Sequence, residues 1–223
     1  MQLQFLTMQQ IRLQQTCPLI FEDKDLTSSC VWEKDIVFEK GRRYLINAPS
    51  GGGKTSLLAF LFGIRQDYLG TIEIDGKDIR TFSLSEWDHI RSCKLSMVFQ
   101  NLKIFPELTA WENLQLKNTL TGKPYRNDDF LNHWLHQLGI ADKKRRPASQ
   151  MSFGQRQRLA LIRALCQPLD LLLLDEPFSH LDVENAALIC RELDLFLKDS
   201  GAGLITTSLG DIYPVPDLEI LNL

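Results

Sequence analysis

Residues 48–56 read Ala-Pro-Ser-Gly-Gly-Gly-Lys-Thr-Ser, a glycine-rich turn that runs into a lysine and two hydroxyl side chains. The pattern is typical of a P-loop, where glycines allow successive backbone N–H groups to point at phosphate oxygens. We expect Lys54 to reach the β- and γ-phosphates of a nucleotide and Thr55 to hold Mg²⁺ through its hydroxyl. Ala48 replaces the first glycine of the usual pattern, and it fits the turn if its φ is negative. The predicted phosphate-binding residues are Ser50, Gly51, Gly52, Gly53, Lys54, Thr55 and Ser56.

A second candidate for chemistry is the acid pair Asp175 and Glu176, which directly follows the apolar run Leu171–Leu174. Four consecutive apolar residues predict a strand buried on both faces of a parallel sheet, so the two carboxylates lie at its C-terminal end, beside the P-loop. We expect Asp175 to bind Mg²⁺ opposite Thr55, and Glu176 to polarise the water that attacks the γ-phosphate. A strand that merely ends in a surface acid pair is the alternative, and the P-loop argues against it.

The elements that must hold these residues are strands and helices in alternation, an order that favours an α/β core with a parallel sheet. A helix is predicted over Ser56–Phe62, ended by Gly63, so the phosphates would lie at a helix N-terminus, which favours anions. Strands are predicted at Leu19–Phe21, Val31–Trp32, Ile36–Phe38, Tyr44–Ile46, Leu95–Phe99 and Gly203–Thr206, and Gly70–Gly76 is predicted to be one arm of an antiparallel hairpin.

Helical periodicity dominates from Leu108 to Leu138, with one apolar face made of Phe130, Leu131, Trp134, Leu135 and Leu138. A second helical stripe contains Ala186, Cys190, Leu193 and Leu197. The predicted fold is a single domain over residues 1–223, an α/β P-loop NTPase core with a mostly parallel sheet. An N-terminal antiparallel β subdomain and a helical subdomain, inserted at about residues 101–152, are predicted additions to that core.

Composition limits the classes of function. A formal net charge of −3 and a pI near 5.8 argue against a general nucleic-acid binder, and we interpret the basic run 143–146 and the acidic residues 128–129 as solvated surface. No apolar run approaches the roughly 18–20 residues that span a bilayer, and the N-terminus lacks a signal-peptide pattern. Five scattered cysteines without metal-site spacing indicate reduced thiols. These features together predict a cytoplasmic protein.

A further motif lies between the P-loop and the acid pair. Met151-Ser152-Phe153-Gly154-Gln155 closely resembles the signature sequence of ATP-binding cassette (ABC) ATPases. Val98-Phe99-Gln100 resembles the family's Q-loop, Phe105–Asn113 the segment after it, and Ser179-His180-Leu181-Asp182 its D-loop. The resemblance covers nearly the whole chain, and the order of motifs is similar to that of lone transporter ATPases of the lipoprotein-release and macrolide-export type.

This resemblance implies an ATP- and Mg²⁺-dependent ATPase subunit that works as a head-to-tail dimer, with each ATP between the P-loop of one subunit and the signature of the other. Ser152, Gly154 and Gln155 would then contact nucleotide across the dimer. Gln100 would contact Mg²⁺ and the attacking water, and would pass the change to a transmembrane permease. The second subunit is expected to be an identical copy, with a heterodimer as the alternative. The protein would lie on the cytoplasmic face of the inner or plasma membrane, held there by the permease.

Two positions depart from the family pattern. Phe153 replaces the first signature glycine, which requires a negative φ and a ring that points away from nucleotide. Ser208 stands where the family has its switch histidine, and serine has a shorter reach and no positively charged form. The catalytic candidates are therefore Glu176, Lys54, Gln100 and Ser208, with slow hydrolysis and near-normal ATP binding expected. A slow or non-hydrolysing ATP-dependent switch is the alternative function.

The aromatic residue that stacks on adenine is a further open position. The family uses an aromatic side chain upstream of the P-loop, and Phe21 is the first candidate, with Trp32 the second. Both residues lie in apolar, strand-like segments, so a role in the core is the alternative for each.

Overall fold

Two β-sheets and six α-helices make up the described part of the chain, which is residues 7–178, 183–210 and 213–223 of a computed structural model. The strands are β1 (Gln10–Pro18), β2 (Ile36–Glu39), β3 (Arg43–Asn47), β4 (Tyr68–Ile74), β5 (Lys77–Asp78), β6 (Leu95–Val98), β7 (Leu171–Leu174), β8 (Gly203–Ser208) and β9 (Leu218–Asn222). The helices are α1 (Lys54–Leu61), α2 (Leu84–Cys93), α3 (Ala110–Asn118), α4 (Asp128–Gln137), α5 (Phe153–Ala164) and α6 (Val183–Ser200). Within these ranges, no helix combines the length and apolar character that crossing a bilayer requires.

The larger sheet is parallel, with the strand order β6-β7-β8-β3-β9. Because parallel strands end at the same edge of a sheet, the residues that follow β3, β6 and β7 meet there with the end of β8. The P-loop follows β3, Gln100 follows β6 and the acid pair follows β7. This edge therefore collects the residues that the sequence marked for nucleotide chemistry.

Both faces of the parallel sheet are covered, which explains the unbroken apolar run of β7. Leu172 and Leu174 pack into a core with buried residues of α3, α4, α5 and α6, whereas Leu171 and Leu173 face a second core with residues of α1, α2, β1 and β4. Alternate side chains of a strand point to opposite faces, so a strand that is covered on both faces needs apolar residues at successive positions. The second core also covers one face of the antiparallel sheet, which has the order β2-β1-β4-β5.

The strand predictions for Ile36–Phe38, Tyr44–Ile46, Leu95–Phe99 and the run Leu171–Leu174 agree with the structure to within one or two residues. Those for Leu19–Phe21 and Val31–Trp32 were wrong. The first segment is a 3₁₀ helix that exposes Leu19 and Ile20. The second lies in a turn, because the Ser29 hydroxyl accepts hydrogen bonds from the N–H groups of Val31 and Trp32, at 3.1 and 2.8 Å.

The structure adds two details that the sequence did not predict. The helical pattern between Leu108 and Leu138 is two helices, because residues 119–127 include Gly122, at φ +90°, and a proline, and Asn127 caps the second helix. The predicted strand Gly203–Thr206 is present as β8, and a strand that was not predicted, β9, pairs with β3 beyond it in the chain. Its pattern of intermediate and exposed residues gives little of the apolar signal that marks β7.

Candidate functional site

The P-loop connects β3 to α1 and borders a cavity of about 330 Å³ at the carboxyl edge of the parallel sheet. Gly51 and Gly53 have φ values of +79° and +93°, which glycine adopts without a steric penalty, and Gly53 is the N-cap of α1. The first N–H groups of a helix lack internal partners and carry the positive end of its dipole, so this cavity favours an anion. Its lining contains Ile20, Phe21, Ser50, Gly51, Gly53, Lys54, Thr55, Ser56, Arg65, Gln100 and Glu176.

Trp32 supports the P-loop from behind. Its indole Nε1 donates a hydrogen bond to the Gly52 carbonyl at 3.3 Å, and its ring lies 3.0 Å from where a Cβ on Gly53 would stand. The Phe21 ring lies 3.1 Å from the same point, so the two aromatic side chains leave no room for a side chain at Gly53. Ala48 is buried with a negative φ, as its place in the turn requires.

Lys54 is buried and lies at the centre of the loop. Its Nζ donates hydrogen bonds to the carbonyl oxygens of Ala48 and Pro49, at 2.7 and 3.2 Å, and lies 3.4 Å from Glu176 Oε1. Since an ammonium has three donors on a flexible stem, it can exchange these carbonyl partners for phosphate oxygens.

Glu176 brings the chain's candidate catalytic groups together. One carboxylate oxygen faces Lys54, and the other accepts a hydrogen bond from Gln100 Nε2 at 3.4 Å. Its backbone has a φ of +48°, and its N–H donates to the Thr207 hydroxyl at 2.8 Å. Left-handed backbone at a non-glycine residue is uncommon and often marks a functional position.

Asp175 is buried beside Glu176. Its Oδ1 accepts a hydrogen bond from the Thr207 hydroxyl at 3.1 Å, whereas its Oδ2 is buried without a hydrogen-bond partner among the described residues. Burial raises the pKa of this carboxyl above its ordinary 3.8, the hydroxyls of Thr55 and Thr207 lower it, and the charge of Glu176 raises it. An unpartnered buried carboxylate oxygen near a threonine hydroxyl is a donor set that fits a hard divalent cation such as Mg²⁺.

Thr207 and Arg65 belong to this site although neither residue lies in a recognisable sequence motif. Thr207 joins the backbone of Glu176 to the carboxylate of Asp175. Arg65 lines the cavity and donates to the Ser56 hydroxyl at 2.8 Å. One feature of the sequence could have indicated Thr207: it is a hydroxyl residue in the last buried strand, next to Ser208.

Ser208 ends β8 beside the start of the P-loop. It is fully buried, its carbonyl accepts a hydrogen bond from the Ala48 N–H at 3.3 Å, and its hydroxyl accepts one from the Gly210 N–H at 3.2 Å. It does not line the cavity, and within one chain its hydroxyl is engaged away from the P-loop.

The signature residues lie at the N-terminus of α5 and not in the cavity. The Ser152 hydroxyl accepts from the Gln155 N–H at 3.3 Å and the Gln155 side chain accepts from the Ser152 N–H at 3.0 Å, which makes a capping box. Gly154 follows in the first turn, and Phe153 has a negative φ and a partly exposed ring. The D-loop candidate, residues 179–182, lies outside the described residues.

The two aromatic candidates for adenine occupy different places. Phe21 lines the cavity, is itself buried, and has the Lys24 ammonium 4.0 Å from its ring centre. Trp32 is fully buried behind the loop and does not line the cavity. Phe21 is therefore the better-placed candidate for contact with a base.

Comparison with known proteins adds independent evidence. A family model described as ABC transporter matches residues 34–179. The ABC transporter ATP-binding protein YclH of Bacillus subtilis is 32% identical over 189 residues, 83% of this chain and 82% of that protein. The lipoprotein-releasing system ATP-binding protein LolD 1 of Chlorobium chlorochromatii is 34% identical over 177 residues, 78% of this chain and 72% of that protein.

A solved structure gives the same result for the fold. The dimeric structure of MJ0796, a bacterial ABC transporter cassette, superposes with a TM-score of 0.79 at 22% identity, covering 95% of this chain and 94% of that one. The predicted α/β P-loop fold is thereby confirmed. With this fold, the family match and relatives of 32% and 34% identity, the protein belongs to the ABC transporter family as one of its ATP-binding subunits.

Proposed function

We propose that this subunit hydrolyses Mg²⁺-bound ATP with Glu176 as the general base, and that the hydrolytic cycle drives a membrane permease. The observation that carries the proposal is the position of the Glu176 carboxylate, between Lys54 Nζ and the Gln100 side chain at the edge of the P-loop cavity. A carboxylate at this place can accept a proton from water next to a bound γ-phosphate.

The phosphates would be held by the N–H groups of the P-loop, by Lys54 and by the N-terminus of α1. Thr55 and Asp175 would hold Mg²⁺, a role that the unpartnered Asp175 Oδ2 supports, with Gln100 reaching the same region. The ion would supply positive charge to the phosphate oxygens. Phe21 is the candidate for contact with adenine.

A second cassette is the proposed partner across the nucleotide. Ser152 and Phe153 are exposed at the N-terminus of α5, outside the chain's own cavity. A helix N-terminus that does not serve its own P-loop supports a head-to-tail dimer, in which Ser152, Gly154 and Gln155 contact the ATP of the partner. The solved structure of the cassette MJ0796 is a dimer. We propose a homodimer.

The permease is proposed to dock beside the Q-loop. A groove of about 410 Å³, which we call the α3–α5 groove, lies between these two helices and the segment Phe99–Phe105. Residues 101–152, which contain α3 and α4, are the proposed helical subdomain, and the groove lies where it meets the core. The permease would hold the protein on the cytoplasmic face of the membrane.

Steady-state hydrolysis of Mg²⁺-ATP by the purified protein tests this function, with Glu176→Gln as the decisive variant. We expect it to lower turnover by at least about 100-fold, because the general base is lost, while ATP still binds. Glu219→Gln is a matched control, since it removes a carboxylate from an exposed ion pair with Arg42 far from the P-loop. Equal turnover of Glu176→Gln and the wild type would refute the role of Glu176.

A further inference from the structure

The P-loop cavity contains a second cation that the proposed mechanism does not use. Lys54 and Arg65 are the two cationic side chains among the described residues that line it. Lys54 Nζ lies 3.4 Å from Glu176, at the part of the cavity proposed for the γ-phosphate. Arg65 instead donates through Nη1 to the Ser56 hydroxyl at 2.8 Å. The two charges therefore serve different parts of the cavity, and the second needs its own explanation.

The guanidinium of Arg65 is held in a defined orientation. Its Nε donates to Asp67 Oδ1 at 2.9 Å and its Nη2 donates to Asp67 Oδ2, so one carboxylate takes the two donors on one edge of the group. The guanidinium carbon lies over the Phe60 ring, 5.4 Å from its centre. These contacts direct the remaining nitrogen, Nη1, toward Ser56 and the lining of the cavity.

Stability of the isolated chain does not explain this arrangement. The side chains of Arg65 and Asp67 are 41% and 48% exposed, and ion pairs this exposed contribute little to stability. The position of the charge is also unfavourable, because Ser56 lies in the first turn of α1, where the helix dipole is positive and repels a cation. A cation oriented toward the positive end of a helix is stabilised when an anion binds between the two.

The other groups of the cavity indicate which part of a nucleotide this charge would meet. A P-loop lysine reaches the β- and γ-phosphates, and a Mg²⁺ ion held by Thr55 and Asp175 bridges the same two groups. The α-phosphate is then left with backbone N–H donors and no cation. Ser56 can donate to it, since its hydroxyl oxygen accepts from Arg65 while its proton has no acceptor among the described residues.

Resting on the function proposed above, we infer that Arg65, oriented by Asp67, binds the α-phosphate of the nucleotide together with the Ser56 hydroxyl. A hydrogen bond between two charged groups is among the stronger contacts that a nucleotide can make. Because ATP and ADP share the α-phosphate, Arg65 would strengthen the binding of both by the same factor. Lys54 differs in this respect, since part of its contact is lost with the γ-phosphate.

The test is the binding of Mg²⁺-ADP and of the two diastereomers of ADP with sulfur in place of one α-phosphate oxygen, measured by isothermal titration calorimetry. We expect the wild type to bind at least one diastereomer more weakly than ADP. Arg65→Met should weaken ADP binding about tenfold and should reduce that discrimination at least about threefold. Arg42→Met, at an exposed arginine paired with Glu219 outside the cavity, is the matched control and should change neither value.

Three results would overturn the inference. Unchanged ADP affinity in Arg65→Met, or a wild type that does not discriminate against either diastereomer, would mean that Arg65 makes no contact with the α-phosphate. A loss of ADP affinity with unchanged discrimination would place Arg65 at the base or the ribose. A loss confined to the ATP analogue AMP-PNP, with ADP unaffected, would place it at the γ-phosphate.

Asp67→Asn tests the orienting contact. If Asp67 acts by orienting Arg65, this variant should weaken ADP binding, and it should not do so when Arg65→Met is already present. If Asp67 acts only through its negative charge, Asp67→Asn should strengthen ADP binding, and that result would overturn its orienting role. None of these readouts involves hydrolysis, so this inference and the catalytic role of Glu176 can fail separately.

Discussion

At the scale of single residues, the site depends on how Glu176 is held. Its left-handed backbone costs about 1–2 kcal/mol for a residue with a Cβ. The hydroxyl of Thr207 accepts a hydrogen bond from the Glu176 N–H. Lys54 contacts one of the two carboxylate oxygens and Gln100 contacts the other. A conformation supported from three sides places the carboxylate before nucleotide arrives, which lowers the cost of ordering it during the reaction.

Asp175 gives a prediction about pH. Burial raises its pKa, so the folded chain holds this proton more tightly than the unfolded chain does. Its contribution to stability is therefore greatest below its ordinary pKa of 3.8 and is lost as the pH rises from there through the folded-state pKa. Asp175→Asn removes this loss, so without nucleotide the variant should melt at a higher temperature than the wild type at pH 7.

The advantage of Asp175→Asn should shrink as the pH falls toward 4, which thermal melts across this range would measure. With Mg²⁺-ATP added, the order should reverse, because the variant loses a ligand for the ion. A difference in melting temperature that is independent of pH would mean that Asp175 titrates normally in the folded chain.

Ser208→His should raise turnover by about tenfold or more, because one added donor to the γ-phosphate stabilises charge that develops in the transition state. Ser208→Ala should leave the rate of the wild type unchanged, since the hydroxyl accepts a hydrogen bond from the Gly210 N–H and not from the P-loop. Single-turnover hydrolysis with ATP affinity measured in parallel separates chemistry from binding. A fast wild type that gains nothing from histidine would contradict this account.

At the scale of elements, the connection from β3 to α1 works because two aromatic side chains lie directly behind it. Trp32 bonds to the Gly52 carbonyl, and Trp32 and Phe21 both contact the space beside Gly53. The segments that supply them are a turn and a 3₁₀ helix, elements that can aim a large side chain without a partner strand. The loop geometry therefore depends on aromatic residues 20 to 32 positions upstream of the glycines that they contact, as well as on those glycines.

Gly53→Ala should destabilise the chain by about 1–3 kcal/mol and weaken ATP binding, since it adds backbone strain at φ +93° and a contact of 3.0 Å with Trp32. Gly76→Ala is the matched control. Its φ is +81°, but nothing lies within 4 Å of an added Cβ, so it should show the cost of strain alone and leave ATP binding unchanged. Urea unfolding and nucleotide titration measure the two effects, and equal losses in both variants would exclude a role for the aromatic contacts.

At the scale of the whole molecule, Asp170 joins the two halves of the fold. It lies just before β7 in the parallel sheet, and its carboxylate accepts hydrogen bonds from Lys40 Nζ at 2.6 Å and from the Met8 N–H at 2.8 Å. These partners flank β2 and β1 of the antiparallel sheet. This partly buried ion pair and the Met8 hydrogen bond therefore connect the two sheets.

Asp170→Asn should lower the free energy of unfolding by about 1–3 kcal/mol, because Lys40 loses its charge partner in a half-buried position. Asp35→Asn removes a carboxylate from an exposed pair with Arg12 in the antiparallel sheet and should cost less than about 0.5 kcal/mol. Urea denaturation measures the free energy of unfolding of both variants, and the comparison holds when this free energy depends on urea concentration with the same slope in each. Equal midpoints for Asp170→Asn and the wild type would contradict the joining role.

The sequence alone was sufficient to predict those features that depend on residues close together in the chain. The P-loop needs glycines beside a lysine and a threonine, and β7 needs apolar residues on both faces, so the edge of the parallel sheet could be predicted with Lys54, Asp175 and Glu176 on it. The short apolar segments Leu19–Phe21 and Val31–Trp32 were wrongly predicted as strands, because a strand, a turn and a 3₁₀ helix share such runs and only hydrogen-bond partners distinguish them.

Tertiary structure decided everything that depends on contacts between distant residues. The Thr207 hydroxyl meets Asp175 and Glu176 across 32 and 31 positions of the chain, and Trp32 reaches Gly52 across 20. Such contacts leave no periodic or local pattern, since packing between elements creates them. The sequence by itself therefore determined which chemistry this chain can support, and only the folded structure determined how the groups that perform it are held.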